Sequence, residues 1–347
     1  MKKQTNQKVH FYRKKPFLWT VGIIVGLIAV LLVAFRVSPW PGALLIRAVF
    51  SQNDVKVLSA LQKHMPATPV AQITEQQYRQ ADEDAFLDVY FPENTTLRLP
   101  TIIWTHGGAW VSGDKANAAP YFKLLAAQGF TVVVPNYSLA PEHTYPKAVH
   151  QLNDLYAYAQ ENADRFHIDT TKFVLAGDSA GAQLTSQMAA IITSPAYAAE
   201  VGVSPNLTPS QLRGLVLFCG IYKMHDLTQP DPTLPKIVGW GTDVSVWAYA
   251  GTRDFSDPVI TEMSAYYNVT SNFPVTYISG GNGDPLTQAQ SVPFVQKLQS
   301  LGVTVTTLFY PADHQPSLPH EYQFNLDNAD GMNALTQTVQ FVKSRTE

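Results

Sequence analysis

A strand-turn-helix pattern around Ser179 carries the clearest chemical signal in the sequence. Residues 173–184 read FVLAGDSAGAQL, so the serine stands at the centre of a G-x-S-x-G motif between an apolar run and a helix-like run. Gly177 and Gly181 allow a tight turn that lifts the serine hydroxyl clear of the sheet at the start of the helix. This pattern predicts that Ser179 is a nucleophile.

A glycine-containing loop precedes the serine at the place where an oxyanion hole is expected. Residues 101–110 read TIIWTHGGAW, a strand-like run followed at once by Gly107 and Gly108. The backbone N–H groups of these glycines, with that of Ala180 at the helix start, can point at a developing oxyanion. We expect these three donors to form the oxyanion hole. Asp178 and Trp110, which adjoin the two motifs, are candidates for supporting or pocket residues.

A serine hydroxyl is too weakly acidic to attack alone, so a histidine must take its proton and a carboxylate must orient that histidine. Both should follow the serine in the chain, just past the ends of strands. Asp284 follows the strand-like run 275–279 and is the predicted acid. We favour His320 as the base because it stands shortly before the final helix. His314, which is nearer the preceding strand but lies in a proline-broken loop, remains the alternative.

These residues need an alternating array of strands and helices to position them. The alternation predicts an α/β fold with a mostly parallel central sheet and helices on both faces. The predicted strands are residues 86–91, 101–105, 130–135, 173–177, 214–219, 275–279 and 303–310, and the predicted helices are residues 117–128, 145–164, 181–192, 287–301 and 329–344.

Composition limits the function classes. The 347 residues are 46% hydrophobic and 15% charged with a formal net charge of −3, so there is no basic excess for binding nucleic acid. The single cysteine, Cys219, lies in an apolar run and is predicted to be a small buried hydrophobe. It can form no internal disulfide, and a metal-thiolate cluster is excluded. The predicted chemistry needs no metal and no organic cofactor.

Residues 17–35 form an uncharged apolar run that is long enough to cross most of a ~30 Å hydrocarbon core. Six cations precede it, so the positive-inside rule predicts a cytoplasmic N-terminus and an extracytoplasmic catalytic domain. A cleaved signal peptide, followed by secretion, is the main alternative, and a buried core helix is the third. The predicted divisions are a basic tail (1–16), a transmembrane signal-anchor (17–35), a linker or cap helices (36–69) and a catalytic domain (70–347).

The motifs resemble the hormone-sensitive-lipase-like branch of the α/β-hydrolases over about residues 70–345. Three blocks carry the resemblance, namely HGGAW at 106–110, NYSLAPEH at 136–143 and GDSAG at 177–181, joined by DPL at 284–286. The resemblance implies a carboxylesterase with Ser179, Asp284 and a C-terminal histidine in its triad. It also implies that Glu142 supports the oxyanion loop.

Two departures from the family pattern affect the site. Ala109 stands where many relatives have a third glycine, and His320-Glu-Tyr replaces the usual histidine-glycine-phenylalanine. Relatives commonly carry a cap over the site, which residues 43–66 and 222–266 could form here. Trp240, Trp247 and Tyr249 are candidate walls of the pocket, with Trp110.

The sequence therefore predicts hydrolysis of small or medium acyl esters through an acyl-enzyme, with a small-molecule ester as substrate and the membrane as the partner of the N-terminal helix. An aminopeptidase or amidase on the same scaffold is an alternative, which would need a charged anchor for a free amino group. A membrane-tethered binding protein without turnover is the third hypothesis, since a fold alone does not fix a function.

Overall fold

The computed structural model describes residues 14–229 and 235–347. Residues 1–13 of the predicted basic tail and residues 230–234 of the predicted insertion lie outside the described residues. The strands are β1 (Val70–Gln77), β2 (Phe86–Pro92), β3 (Leu99–Thr105), β4 (Thr131–Pro135), β5 (Ile168–Asp178), β6 (Leu212–Phe218), β7 (Thr276–Gly280) and β8 (Val305–Phe309).

The helices include every one expected from the sequence, together with several in the predicted insertion. They are α1 (Lys14–Val37), α2 (Trp40–Leu61), α3 (Ala119–Ala126), α4 (Lys147–Glu161), α5 (Ser179–Thr193), α6 (Pro195–Val201), α7 (Met224–Leu227), α8 (Lys236–Ala250), α9 (Pro258–Glu262), α10 (Ala265–Asn268), α11 (Val292–Ser300) and α12 (Ala329–Thr346). A π-helical turn, Thr287–Ser291, leads into α11, and short 3-10 turns lie at Gln62–His64 and Tyr322–Phe324.

One sheet organises the catalytic part of the chain. Its strand order is β1-β2-β4-β3-β5-β6-β7-β8. The pairs β1–β2 and β2–β4 are antiparallel, whereas every pair from β4 to β8 is parallel. The predicted mostly parallel α/β architecture is thus confirmed.

Strand β1 was not predicted, because its sequence VAQITEQQ is polar and lacks a sustained apolar run. It lies at the edge of the sheet and pairs only with β2, with an irregular register between Ile73 and Gln76. Edge strands bury little surface, so neighbouring strands and not hydrophobic pattern determine where such a segment pairs.

The core lies on both faces of the sheet because successive strand residues point to opposite sides. Ile103 and Leu175 belong to one buried cluster, and their neighbours Ile102 and Val174 belong to the other. Helices α4, α5 and α11 cover the first face, and α3 and α12 cover the second. Each central strand is therefore buried on both sides, which explains its unbroken apolar sequence.

Helix α1 contains a segment, Trp19–Val37, with a mean hydropathy of 2.6 and no part of it buried within the protein. Its length and composition suit a membrane anchor or a signal sequence equally. The third alternative, a buried core helix, is wrong because none of this segment is buried.

Helix α2 falls inside the predicted 43–66 segment over most of its length. Helices α7 to α9 lie in the predicted 222–266 insertion, and α10 begins at its end. The two segments meet where Gly42 of α2 approaches Val244 of α8 so closely that a Cβ on Gly42 would lie 2.8 Å from a valine methyl carbon. Arg253, just after α8, donates to the backbone oxygen of Arg36 at the end of α1. The insertion thus holds the N-terminal helices against the catalytic body.

We expect Gly181→Ala to destabilise the fold, because a Cβ at this position would overlap the carbonyl oxygens of Thr105 and His106. Overpacking of this kind costs about 1–3 kcal/mol or more. The matched control is Gly239→Ala in α8, where a Cβ meets nothing within 4 Å and alanine should favour the helix by up to ~1 kcal/mol. Thermal unfolding of the full chain in detergent should show a lower Tm only for Gly181→Ala. Equal Tm values for the two variants would contradict this account.

Candidate active site

Ser179 occupies a strained turn between β5 and α5. Its φ of 50° lies in the left-handed region, which non-glycine residues rarely adopt. The turn needs glycine on both sides, since a Cβ on Gly177 would lie 2.6 Å from the backbone oxygen of Gly181. Every residue of α5 is buried. The serine hydroxyl is therefore held at the N-terminus of a helix that cannot shift.

The structure brings Asp284 and His320 to this serine. Asp284 follows β7, and its Oδ2 atom lies 2.8 Å from Nδ1 of His320. Nε2 of the same ring lies 3.0 Å from the Ser179 hydroxyl oxygen. The Asp284 side chain is 1% exposed and that of His320 is 36% exposed. A continuous hydrogen-bonded line thus runs from a buried carboxylate, through an accessible imidazole, to the serine.

His314, the alternative base, makes a separate contact. Its Nε2 atom lies 2.9 Å from Asp330 Oδ2 in the first turn of α12, and its ring packs on Tyr310 with centroids 4.5 Å apart. This pairing ties the loop after β8 to the closing helix. The geometry therefore favours His320 as the partner of Ser179.

The electrostatic surroundings of His320 act in opposite directions. Burial disfavours the imidazolium, but the hydrogen bond to Asp284 and the nearby Cys219 and Glu321 side chains favour it, and the net effect raises the pKa of His320 well above its ordinary value. A proton taken from serine is therefore accommodated well at this ring.

The oxyanion loop requires one correction to the sequence prediction. The backbone N–H of Gly107 donates to Asp178 Oδ2 at 2.8 Å, so Gly107 is not available as an oxyanion donor. Gly108 and Ala109 have φ values of 109° and 52°, and within the part of the chain that the structure describes their N–H groups donate to no protein atom. The sequence predicted Gly107 because the order of residues does not show in which direction each of two adjacent glycine N–H groups points.

Asp178 fastens this loop to the nucleophile turn. Besides the Gly107 amide, its carboxylate accepts a hydrogen bond from Trp104 Nε1 at 2.7 Å. Burial raises the pKa of Asp178 well above its usual range, and the neighbouring Glu321 carboxylate adds to the rise. One side chain of the nucleophile turn, that of Asp178, thus holds both β3, through Trp104, and the oxyanion loop, through Gly107. This contact gives a geometry to the supporting role expected for Asp178.

Trp110 packs inside the protein. Its indole stacks on Tyr249 with centroids 5.1 Å apart and an interplanar angle of 6°, and Nε1 donates to Gln183 of α5 at 2.9 Å. Both rings are about 1% exposed. Trp240 packs against Phe35 and Trp247 against Arg253. These four aromatic residues, considered as pocket walls, therefore serve mainly to pack the insertion and α2 onto the body.

Glu142 reaches the oxyanion loop through a residue that the sequence did not single out. Arg47 of α2 donates to both carboxylate oxygens of Glu142, at 2.8 and 2.6 Å. The same guanidinium donates to the backbone oxygens of Val111 and Ala140 at 2.6 and 2.8 Å. The hydrogen bond from Arg47 lowers the pKa of Glu142. No motif marks Arg47, so only the three-dimensional contact reveals it.

Cys219 is fully buried, and burial raises the pKa of its thiol. Its sulfur accepts the Glu321 amide at 3.3 Å. Cys219, Asp284 and His320 place three potential ligand atoms within 4.8 Å of one another, yet both ring nitrogens of His320 already face Asp284 and Ser179. The closeness of these three side chains therefore follows from the hydrogen bonds that join Asp284, His320 and Ser179.

Comparison with known proteins identifies the family. A family model described as alpha/beta hydrolase fold matches residues 102–316. The chain belongs to the alpha/beta-hydrolase fold family. The resemblance expected from the motifs is thereby confirmed at the level of the family, and the α/β-hydrolase fold is established.

Several named relatives of this α/β-hydrolase are esterases. Esterase LipC of Mycobacterium tuberculosis is 29% identical over 63% of the chain, which spans about half (53%) of that protein's length. An esterase of Gibberella moniliformis is 27% identical over 72% of the chain and 77% of its own length. Carboxylesterase NlhH of Mycobacterium tuberculosis is 27% identical over 67% and 70% respectively. The chain is thus a carboxylesterase-like hydrolase.

Solved structures show the same fold. Esterase B from Lactobacillus rhamnosis superposes with a TM-score of 0.75 at 22% identity, covering 88% of this chain and 95% of that one. An esterase from Pyrobaculum calidifontis gives a TM-score of 0.67 at 22% identity, covering 87% and 92%. At such identities the likeness concerns the fold alone.

We expect Asp178→Ala to slow ester hydrolysis by about 10²-fold with a small change in KM, because loosening a loop that positions reacting groups by about 1 Å has an effect of this size. Asp178→Asn keeps one acceptor oxygen and should lose less. Steady-state kinetics of the full chain in detergent, with Asp254→Asn as an exposed control, measure the difference. Unchanged kcat in Asp178→Ala would show that the loop holds its geometry without this carboxylate.

Proposed function

We propose that the protein hydrolyses carboxylic esters of small to medium acyl groups through an acyl-enzyme formed on Ser179. The observation that carries this proposal is the unbroken line of contacts from Asp284 through His320 to Ser179, with distances of 2.8 and 3.0 Å. A hydrogen-bonded acid, base and hydroxyl of this geometry is the arrangement that activates a serine.

In the first half-reaction, His320 Nε2 accepts the hydroxyl proton as Ser179 Oγ attacks the ester carbonyl carbon. Asp284 holds Nδ1 protonated and stabilises the imidazolium that forms. The carbonyl oxygen becomes an oxyanion that receives hydrogen bonds from the backbone N–H groups of Gly108 and Ala109, together with that of Ala180 at the start of α5.

Collapse of the tetrahedral intermediate breaks the ester C–O bond. His320 returns its proton to the departing alkoxide, so an alcohol leaves and an acyl-serine remains. Water then loses a proton to the same nitrogen and attacks the acyl carbon, which releases the carboxylic acid and restores the serine. The steps consume one ester and one water and need no cofactor.

The N-terminal helix supports a proposal about location. We take α1 as a single-pass anchor that places the catalytic domain on the extracytoplasmic side, because its apolar surface is unburied and cations precede it in the sequence. Secretion after signal cleavage is the competing location. The aminopeptidase or amidase and the non-catalytic binding protein are the competing functions.

His320→Ala should lower kcat by at least ~10³-fold with little change in KM, because the proton acceptor is lost in the transition state. His314→Ala is the matched control and should retain most activity, since its partner is Asp330. The reverse order of the two histidine variants would show that His314 is the base.

Ser179→Ala should abolish hydrolysis and labelling by a fluorophosphonate probe. Full labelling of Ser179→Ala would refute its assignment as the nucleophile. Hydrolysis of aminoacyl anilides in preference to p-nitrophenyl esters would favour the peptidase or amidase.

Protease added outside intact cells should cleave residues 40–347 and spare residues 1–16, as expected for an N-terminus on the cytoplasmic side. Epitope tags at the two ends, followed by immunoblotting, report the outcome, and permeabilised cells provide the control. A soluble product in the culture medium that begins after residue 35 would instead establish signal cleavage.

A further inference from the structure

Glu321 occupies the position next to the base with a backbone conformation that favours glycine. Its φ is 59°, in the left-handed region. Its amide donates to Cys219 Sγ at 3.3 Å, which fixes the backbone and hence the direction of the side chain. A residue without a side chain would satisfy this turn with less strain, so the presence of a long acidic side chain here calls for an explanation.

The carboxylate of Glu321 lies among the reacting groups. Its Oε1 atom is 3.7 Å from Nε2 of His320, the nitrogen that faces Ser179. The same oxygen would be 3.1 Å from a Cβ built on Gly107, so it sits between the base and the oxyanion loop. The side chain is 28% exposed. A substrate at Ser179 would thus meet this carboxylate.

No lysine or arginine side chain among the described residues pairs with this carboxylate. Across residues 14–229 and 235–347, the only ion-pair contact of Glu321 is with His320. The other ionisable groups that feel its field are acidic. Glu321 contributes, after burial, to the raised pKa of Asp178. Burial is also the main cause that raises the pKa of Asp54 to about 6, and the negative charge of Glu321 is the second cause.

A carboxylate at this place favours the imidazolium that forms on His320 but repels the oxyanion that forms on a neutral ester. The tetrahedral intermediate develops negative charge close to the Gly107–Ala109 loop, and like charges repel strongly where water is partly excluded. The opposition disappears when the substrate itself carries a positive charge near the scissile carbonyl. A carboxylate that pairs with no lysine or arginine is also free to accept charge-assisted hydrogen bonds from an ammonium.

We propose that Glu321 determines specificity by binding a cationic amine of the ester substrate close to the scissile carbonyl, so that the enzyme prefers amine-bearing esters over neutral esters of the same shape. This inference rests on the proposed esterase function. The amine belongs either to the acyl group, as in an aminoacyl ester, or to the alcohol, as in an amino-alcohol ester, and the two arms of the test separate these sources.

The test compares pairs of esters that differ by one charge, with the full chain in detergent. Ethyl 3-aminopropanoate against ethyl butanoate probes the acyl side, and 2-(dimethylamino)ethyl butanoate, protonated at neutral pH, against 3-methylbutyl butanoate probes the alcohol side. For each pair the ratio of kcat/KM values is measured in the wild type and in Glu321→Gln. Dividing the two ratios removes the intrinsic reactivity of the esters.

We expect Glu321→Gln to lower the preference for the cationic ester by at least ~10-fold in one arm, the size of effect given by a hydrogen bond to a charged group. Any effect of the substitution on His320 is common to both esters of a pair and cancels in their ratio. Glu321→Gly, which suits the left-handed backbone, should lose the preference equally and serves if the glutamine variant folds poorly. Glu93→Gln, on an exposed loop, is the matched charge control.

Two failures are distinguishable. If the wild type hydrolyses neutral esters and Glu321→Gln leaves both ratios unchanged, the role of Glu321 is refuted while the esterase function stands. If the wild type hydrolyses none of the four esters and Ser179 does not react with a fluorophosphonate, the proposed function itself is refuted.

Discussion

The site depends on a close backbone contact between the first turn of α5 and the end of β3. Gly181 lies directly against the carbonyl oxygens of Thr105 and His106, with no room for a side chain. This contact fixes the oxyanion loop relative to Ser179, and the Asp178 carboxylate fastens it again through the amide of Gly107. Backbone amides can stabilise an oxyanion only if they are placed before the reaction begins, so the rigid contact is a condition for the proposed chemistry.

The sequence predicts those parts of the site that rest on consecutive residues or on the shared edge of a parallel sheet. Ser179 follows from one local motif. Asp284 follows because the carboxyl ends of parallel strands meet at one edge, whereas His320 is favoured over His314 because it stands shortly before the final helix. The direction of the Gly107 amide could not be predicted, because it depends on Asp178, 71 residues away. Strand β1 escaped prediction for a similar reason, since its pairing with β2 and not its composition makes it a strand.

Arg47 shows how the N-terminal region enters the site. The family resemblance implies that Glu142 supports the oxyanion loop, and in the structure the two are joined by the guanidinium of Arg47, which also holds the backbone oxygen of Val111. This ion pair is partly exposed and contributes modestly by charge alone. The two parallel hydrogen bonds fix the position of Glu142 relative to α2. Helix α2 directly follows the apolar helix α1. The structure therefore connects the N-terminal helices to the residues beside Trp110.

The charges around the reacting groups distinguish this site from one adapted only to neutral esters. Members of the branch that the motifs resemble usually have glycine after the histidine, whereas this chain places Glu321 there, with a φ of 59°. A glycine would remove both the strained backbone and the repulsion between Glu321, Asp178 and Asp54. Because the fold gains no ion pair with lysine or arginine from Glu321 within the described residues, stability does not explain the side chain. Its one ion-pair contact within the described residues is with His320, so the side chain acts at the reacting groups, where an amine of the proposed substrate would supply a further positive charge.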